Sequence, residues 1–232
     1  MAVKGSSTAA RVLVVFEAVA EHQPVGVAEL SRKLGLDKSA VQRALVTLAE
    51  QGWIQAREEQ LTRWETTPRI LRIANGSRAK SDLRQAIQQI LEQLALDTGE
   101  TAIFNEPDGP KLVVSQVAES RHPLRMVPRI GAVIPVRESA TGRILLPFLS
   151  SERQRELLGG PPEADFLDLI AQCRARGYAA SGEVNAPTMT IAAPVFDDGL
   201  PIGAIAITGP TERMVPDRMA RAVCQAATGL SR

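Results

Sequence analysis

The sequence predicts an α+β chain in two parts: an N-terminal winged helix-turn-helix, a linker helix, and an antiparallel-sheet domain with helices. Three observations predict it. Apolar residues recur at helical spacing through the first fifty positions, with Gly35 between two short helices. Two short β-prone segments, each carrying a tryptophan, follow at once. Further on, β-rich runs are joined by the turn signals Pro107-Asp108-Gly109-Pro110 and Asp197-Asp198-Gly199. The expected boundaries are 1–67 for the first domain, 68–80 for the linker and 81–232 for the second.

The first helix is expected over 9–22, with Val12, Val15, Phe16 and Val19 as its core stripe and Pro24 as its stop. The second runs over Val27–Leu34, inner residues Ala28, Leu30 and Leu34, and Gly35 closes it in the left-handed conformation. Asp37 caps the third, its carboxylate accepting from backbone N–H groups near Ser39 or Ala40. Val41, Ala44, Leu45 and Leu48 line the third helix inward. Lys38, Ser39, Gln42 and Arg43 are left on its outer face near the N-terminal end, which a recognition helix presents to the major groove. The residue types suit that task. Arg pairs bidentately with guanine and Gln with adenine, while Lys and Ser take phosphates. Such a helix pair also occurs in all-helical domains with no nucleic acid.

A strand at 53–56, a polar turn at 57–60 and a return strand at 61–66 make the wing. Arg57 and Arg63 are candidates for backbone phosphates; the alternative is solvated surface charge, which Glu58 and Glu59 at the tip favour. Trp53 and Trp64 read as packing residues. A short linker helix, 68–77, ends at Asn75-Gly76. A long helix from Ser81-Asp82 to Gly99 turns Leu83, Ile87, Ile90, Leu91 and Leu94 inward. Strands are expected at 101–106, 112–118, 124–127, 132–136, 188–196 and 201–208, and helices at 139–149, 151–158, 164–176 and 216–230.

Composition narrows the function. The 232 residues are 44% hydrophobic, enough for a sizeable core, and carry a net charge of only +1, so no strongly basic partner surface is announced. The charge is uneven: residues 1–78 hold 11 Lys/Arg against 8 Asp/Glu (+3), and the rest hold 16 against 18 (−2). A dimer would double the basic bias. Cys173 and Cys224 are far apart in amphipathic segments, as buried free thiols are. That usage fits a reducing cytoplasm. The apolar run 12–15 is too short to span a membrane, and no cleavable signal follows Lys4. With two isolated histidines, His22 and His122, a metal site is not expected, nor is a cofactor.

A set of short strings then carries a resemblance: Ala28-Glu29-Leu30, Lys33-Leu34-Gly35-Leu36, Lys38-Ser39-Ala40-Val41-Gln42-Arg43, Thr98-Gly99-Glu100-Thr101, Ser120-Arg121-His122-Pro123-Leu124-Arg125, Arg174-Ala175-Arg176-Gly177-Tyr178, Ala192-Ala193-Pro194-Val195-Phe196-Asp197 and Ile205-Ala206-Ile207-Thr208-Gly209-Pro210. Each string alone is weak; their order and spacing are specific. Over essentially its full length the chain resembles the IclR-type bacterial transcriptional regulators. The resemblance implies a homodimer or dimer of dimers on double-stranded operator DNA. It also implies a GAF-like second domain that binds a small organic effector, often a carboxylic or aromatic acid. It places effector contacts at the backbone of Ala140 and Thr141 and at Thr190, Ala206 and Thr208. The segment before the effector-site helix departs from the family's usual string, reading Arg137-Glu138-Ser139-Ala140-Thr141-Gly142-Arg143.

The residues themselves support that placement. Ser139 is an N-cap candidate, leaving N–H groups of Ala140, Thr141 and Gly142 to face a carboxylate. The hydroxyls of Thr141, Thr190 and Thr208 suit a small polar ligand. The structural alternative is a simple cap and ordinary strand threonines. Arg137 and Arg143 pair with an acid, with Glu138 or with solvent. An enzyme acting on a small acid would need a nucleophile with its base; the second domain offers only His122 as a histidine base and no Gly-x-Ser-x-Gly. A dimeric DNA-binding protein without a ligand is the remaining alternative.

Overall fold

The computed structural model describes residues 5–57, 61–74, 78–182 and 187–231. They form two compact units, Met1–Ser81 and Asp82–Arg232, each described by itself.

The first unit opens with α1 (Ser7–His22), capped by Ser6, whose hydroxyl accepts from the Ala9 N–H at 3.3 Å. Helices α2 (Val27–Leu34) and α3 (Lys38–Glu50) flank Gly35, which is left-handed at φ 64°, a conformation cheap only for glycine. The Ser31 hydroxyl donates to the Leu36 carbonyl and ties the turn. Leu30, Val41, Leu45 and Leu48 pack with Val15 and Val19 into the core. Ala28 does not: it is exposed, and Val27 packs inward in its place, because α2 presents its first turn to the core one position earlier than expected.

Strands β1 (Ile54–Arg57) and β2 (Arg63–Thr66) pair antiparallel with Ala56 opposite Trp64. Residues 58–60, the expected turn, lie outside the described residues. β2 gains a further neighbour that the sequence pattern did not announce. Val25 exchanges backbone hydrogen bonds with Trp64, 3.1 and 2.8 Å, and so seats the hairpin at its base. Trp53 meets Phe16 edge-on at 5.4 Å, and the Arg69 guanidinium lies over the Trp53 ring at 5.0 Å. The short helix α4 (Arg69–Ala74) follows; the expected stop at Asn75-Gly76 falls outside the described residues.

Helix α5 (Arg78–Thr98) starts three residues before the expected Ser81; Arg78, Ala79 and Lys80 are residue types of good helix propensity. In the second unit the strands β3 (Thr101–Asp108), β4 (Lys111–Ala118), β5 (Val133–Ile134), β6 (Ala179–Ser181), β7 (Thr188–Asp197) and β8 (Leu200–Pro210) form one antiparallel sheet, ordered β5-β4-β3-β8-β7-β6. The β7–β8 turn is two residues, Asp198 and Gly199, both at positive φ, which matches the twist of the paired strands.

Strand alternation gives the sheet two covered faces. Phe104, Ile191, Val195, Ile205 and Ile207 face α5 and the last helix, α9 (Pro216–Leu230), whose Met219, Val223 and Ala227 complete that core. Ile103, Ala192, Ala204 and Ala206 face the other way, towards α6 (Ala140–Leu145) and α8 (Ala164–Arg176). Helix α7 (Ser151–Leu158) precedes α8 and adds Leu157 to a satellite cluster with Leu146, Phe166 and Ile170.

Three further expectations are corrected. Residues 124–127 form no strand; Pro123 and Pro128 remove ladder donors on either side, and Leu124, Met126 and Val127 stay exposed. The 139–149 helix ends at Leu145 and tightens into a 3₁₀ turn over Leu146–Phe148, because Pro147 has no N–H to continue it. β6 was not expected: Ala-Ala-Ser has little strand propensity, and pairing with β7 alone makes it a strand.

Candidate DNA interface and effector site

The outer face of α3 assembles as expected. Lys38, Ser39, Gln42 and Arg43 are all exposed, while Ala40, Val41 and Ala44 between them are buried. The helix start is a small relay. Asp37 accepts from the Ala40 N–H at 2.9 Å and from the Ser39 hydroxyl at 2.6 Å. Ser39 in turn accepts from Arg43 Nη1 at 3.2 Å. The Ser39 hydroxyl, the Ala40 N–H and the charge of Arg43 hold the Asp37 carboxyl below its ordinary range. Ser39 is therefore a positioning group, and Arg43 keeps four of its five N–H donors for other partners.

The wing arginines sit differently. Arg63 lies 3.7 Å from the Glu29 carboxylate and donates to the Pro24 carbonyl at 3.2 Å, linking the hairpin to α2. Arg57, more exposed, is 4.0 Å from Glu65. Both have carboxylate neighbours inside the unit, which a phosphate would have to share.

In the second unit the expected effector residues fall on one sheet face but not in one cluster. Thr190 and Thr208 lie directly opposite each other on β7 and β8, and the Thr190 hydroxyl donates to Thr208 at 3.0 Å. Ala206 follows on the same face, buried against Ala140 of α6. Thr141, almost wholly buried, lies at the far end, where it accepts from Asn105 Nδ2 at 2.7 Å. Ala204, opposite Asn105, is four residues from Thr208, about 13 Å along the strand.

Gly142 departs from expectation. Its N–H donates to the Ser139 hydroxyl at 3.0 Å, so the cap consumes it. Its Cα faces Val136: a Cβ there would stand 1.8 Å from the Val136 carbonyl oxygen. Glycine is required for close backbone approach at this position. The flanking arginines are also committed. Arg137 pairs with Glu163, not Glu138, and its guanidinium lies over Phe166. Arg143 donates to the carbonyls of Arg137 and Ala180, each at 3.2 Å.

Asn105 was missed by sequence reasoning. A lone amide directly after the apolar Ala102-Ile103-Phe104 of β3 was the available signal. A separate cleft of about 650 Å³ lies between α5 and β4, rimmed by Glu92, Glu119, Arg121 and His122. It is an open groove with charges of both signs and shares no residue with the α6 face. Among the described residues no group of three or more His, Cys, Asp or Glu is placed to hold a metal ion, and no helix is long and apolar enough to cross a membrane.

Comparisons with known proteins agree with this architecture. Residues 8–58 match the IclR helix-turn-helix domain, and residues 77–232 match the bacterial transcriptional regulator IclR C-terminal family. The regulator BhcR of Paracoccus denitrificans is 31% identical over 238 residues, covering 95% of this chain and 85% of its own. The transcriptional repressor IclR of Escherichia coli is 29% identical, covering 90% and 82%. Among solved structures, a protein assigned as an IclR transcriptional regulator from a Silicibacter species superposes with a TM-score of 0.82 at 26% identity, over 97% of this chain and 95% of that one. An IclR homolog from Microbacterium hydrocarbonoxydans, solved with 4-hydroxybenzoate, shares the fold at a TM-score of 0.81 and 22% identity, over 97% and 98%. With both halves of the chain matched in order, it belongs to the IclR family of bacterial transcriptional regulators.

Proposed function

We propose that the chain is a ligand-responsive regulator in the cytoplasm that binds operator DNA as a dimer or dimer of dimers. Its DNA binding or activity changes with a small organic acid or related aromatic compound. The observation that carries the reading is the outer face of α3, where Asp37 and Ser39 hold Arg43 at the start of a helix whose opposite side is core. Residues 1–67 are the DNA-binding domain, 68–80 the linker and 81–232 the effector domain. Lys38, Ser39, Gln42 and Arg43 meet the major groove, and Arg57 and Arg63 meet flanking phosphates. Self-association is supported by exposed apolar side chains in the first unit: Leu13 and Val14 on α1, and Leu71 and Ile73 on α4.

The effector lies on the sheet face under α6, touching Ala140, Thr141, Thr190, Ala206 and Thr208; Gly142 serves by backing α6 onto Val136. The 4-hydroxybenzoate in the fold relative supports an aromatic acid. Because α6 packs directly on β7 and β8, a ligand there displaces it, and that displacement is the signal. The close packing of Ala140 against the sheet favours the second reading, a regulator with no ligand. No catalysis is proposed, since the matched relatives are regulators.

The test is a thermal-shift screen against small carboxylates, aromatic acids and their amides, followed by operator binding with each hit. An acid that raises the melting midpoint and changes operator affinity supports the reading. A complete absence of shifts moves the function to the ligand-free alternative.

A further inference from the structure

Val46 is an apolar side chain on the outer face of α3, 41% exposed. Every other apolar residue of that helix is buried or half-buried. Successive helical residues turn by about 100°, so Val46 falls between Gln42 and Arg43 around the helix and one turn beyond them along it. Val41, Ala44, Leu45 and Leu48 occupy the opposite side and are buried. A β-branched side chain has lower helix propensity than alanine, and its methyl groups gain nothing from water. An isolated unit would be better served there by alanine, lysine or glutamate.

The groups around Val46 narrow the choice of partner. Lys38, Ser39, Gln42 and Arg43, on the earlier turns, are polar or basic and exposed. Thr47, beside Val46, donates its one hydroxyl proton to the Arg43 carbonyl at 2.9 Å and has none left for a base or a phosphate. Glu50, one turn beyond Val46, is exposed and anionic, which repels phosphate. The face therefore passes from hydrogen-bond donors to methyl groups as α3 proceeds. A protein partner that covered Val46 would have to bury Gln42 and Arg43 with it, at the cost of desolvating both. The major groove offers hydrogen-bonding atoms on every base pair, and thymine alone adds a methyl group.

We infer that Val46 is a specificity-determining residue that packs against the 5-methyl group of a thymine in the operator. This rests on the reading that the outer face of α3 enters the major groove. Gln42 and Arg43 bond to base edges, and Val46, about 5 Å further along the helix, meets a neighbouring base step. The contact selects thymine without a hydrogen bond. Cytosine would set its amino group against the valine methyls, and uracil would leave them without their apolar partner.

The experiment begins with duplexes selected from a random pool by the full wild-type chain. Each thymine of the selected site is replaced singly by deoxyuridine, which removes the methyl group and keeps the base pair. Affinities are measured for wild type and Val46→Ala. At one thymine the wild type should lose about fourfold, the worth of one methyl taken out of water. Val46→Ala should bind the thymine duplex about fourfold or more weakly than wild type does. It should bind the thymine and deoxyuridine duplexes within about 1.5-fold of each other, since the two changes remove the same contact. It should also melt and sediment as wild type does. Deoxyuridine losses that are the same in both proteins at every thymine overturn the contact, as does a wild type indifferent to every replacement. A lower melting midpoint or altered sedimentation of Val46→Ala overturns it too, by assigning Val46 to packing within or between copies of the chain. A wild type that selects no sequence from the pool overturns the DNA-binding reading itself, and the inference with it.

Discussion

Arg43 owes its position to two neighbours. Ser39 accepts from it, and Asp37 draws it electrostatically while capping the same helix. A single cluster thus starts α3 and points its basic side chain outward. Arg43→Ala leaves the buried stripe Val41, Ala44, Leu45 and Leu48 untouched, so the fold and oligomer should be unchanged. The loss should appear in operator discrimination, by about 1–3 kcal/mol if Arg43 makes one bidentate base contact. Competition binding of operator and scrambled DNA, checked against circular dichroism, measures it. A variant that discriminates as well as wild type would displace the recognition face from this end of α3.

Between elements, the second unit shows how one buried charge holds an irregular segment. Glu100, only 1% exposed at the start of β3, receives Arg213 through two hydrogen bonds of 2.5 and 2.9 Å. Arg213 also donates to the Leu124 carbonyl at 3.0 Å. Gly209 makes room for this: a Cβ there would lie 2.3 Å from the Glu100 carboxylate. The stretch 121–132, which lacks strand pairing at 124–127, is thereby anchored to β3 and the end of β8. Removing Arg213 leaves a buried carboxylate without its partner, a strongly destabilising change. Arg213→Ala should lower the melting midpoint far more than Arg125→Ala, which breaks an exposed pair with Glu119. Adding Glu100→Gln to Arg213→Ala should recover part of the loss, and equal melting of the two arginine variants would refute the clamp.

For the molecule as a whole, the near-neutral net charge conceals a split between a basic first unit and an acidic second one. Residues 1–78 carry an excess of only +3, which binds DNA weakly on electrostatics alone, so joining two such segments matters more than either. Leu71 and Ile73 on α4, 65% and 53% exposed, are apolar surface that a lone unit gains nothing by displaying. The double variant Leu71→Glu, Ile73→Glu should shift sedimentation from the proposed dimer towards the monomer. Operator affinity should fall about a hundredfold or more, since the second half-site contact is no longer intramolecular. Unchanged sedimentation would place the self-association surface elsewhere.

Local chemistry was written plainly in the sequence. Gly35, Asp37, Gly177 and the Asp198-Gly199 turn lie at element ends where backbone geometry admits few residue types, so α2, α3, α8 and the β7–β8 hairpin were legible at once. The family motifs were legible for the same reason, being runs of adjacent residues. Other features depend on partners distant in sequence. Val25 joins β2 only because α1 and α2 bring it there, and β6 is a strand only because β7 lies beside it. Ala28 and Val27 exchange roles through the rotation of α2 against its neighbours. The candidate effector face is the clearest case. Thr141 and Asn105 are 36 positions apart and meet only when α6 lies on the sheet, and the cap that consumes the Gly142 N–H becomes visible at the same moment. Periodicity tells which side of an element is buried, but which buried polar atoms find partners is decided by packing between elements, and the unsatisfied oxygen of Asn105 exists at that level alone.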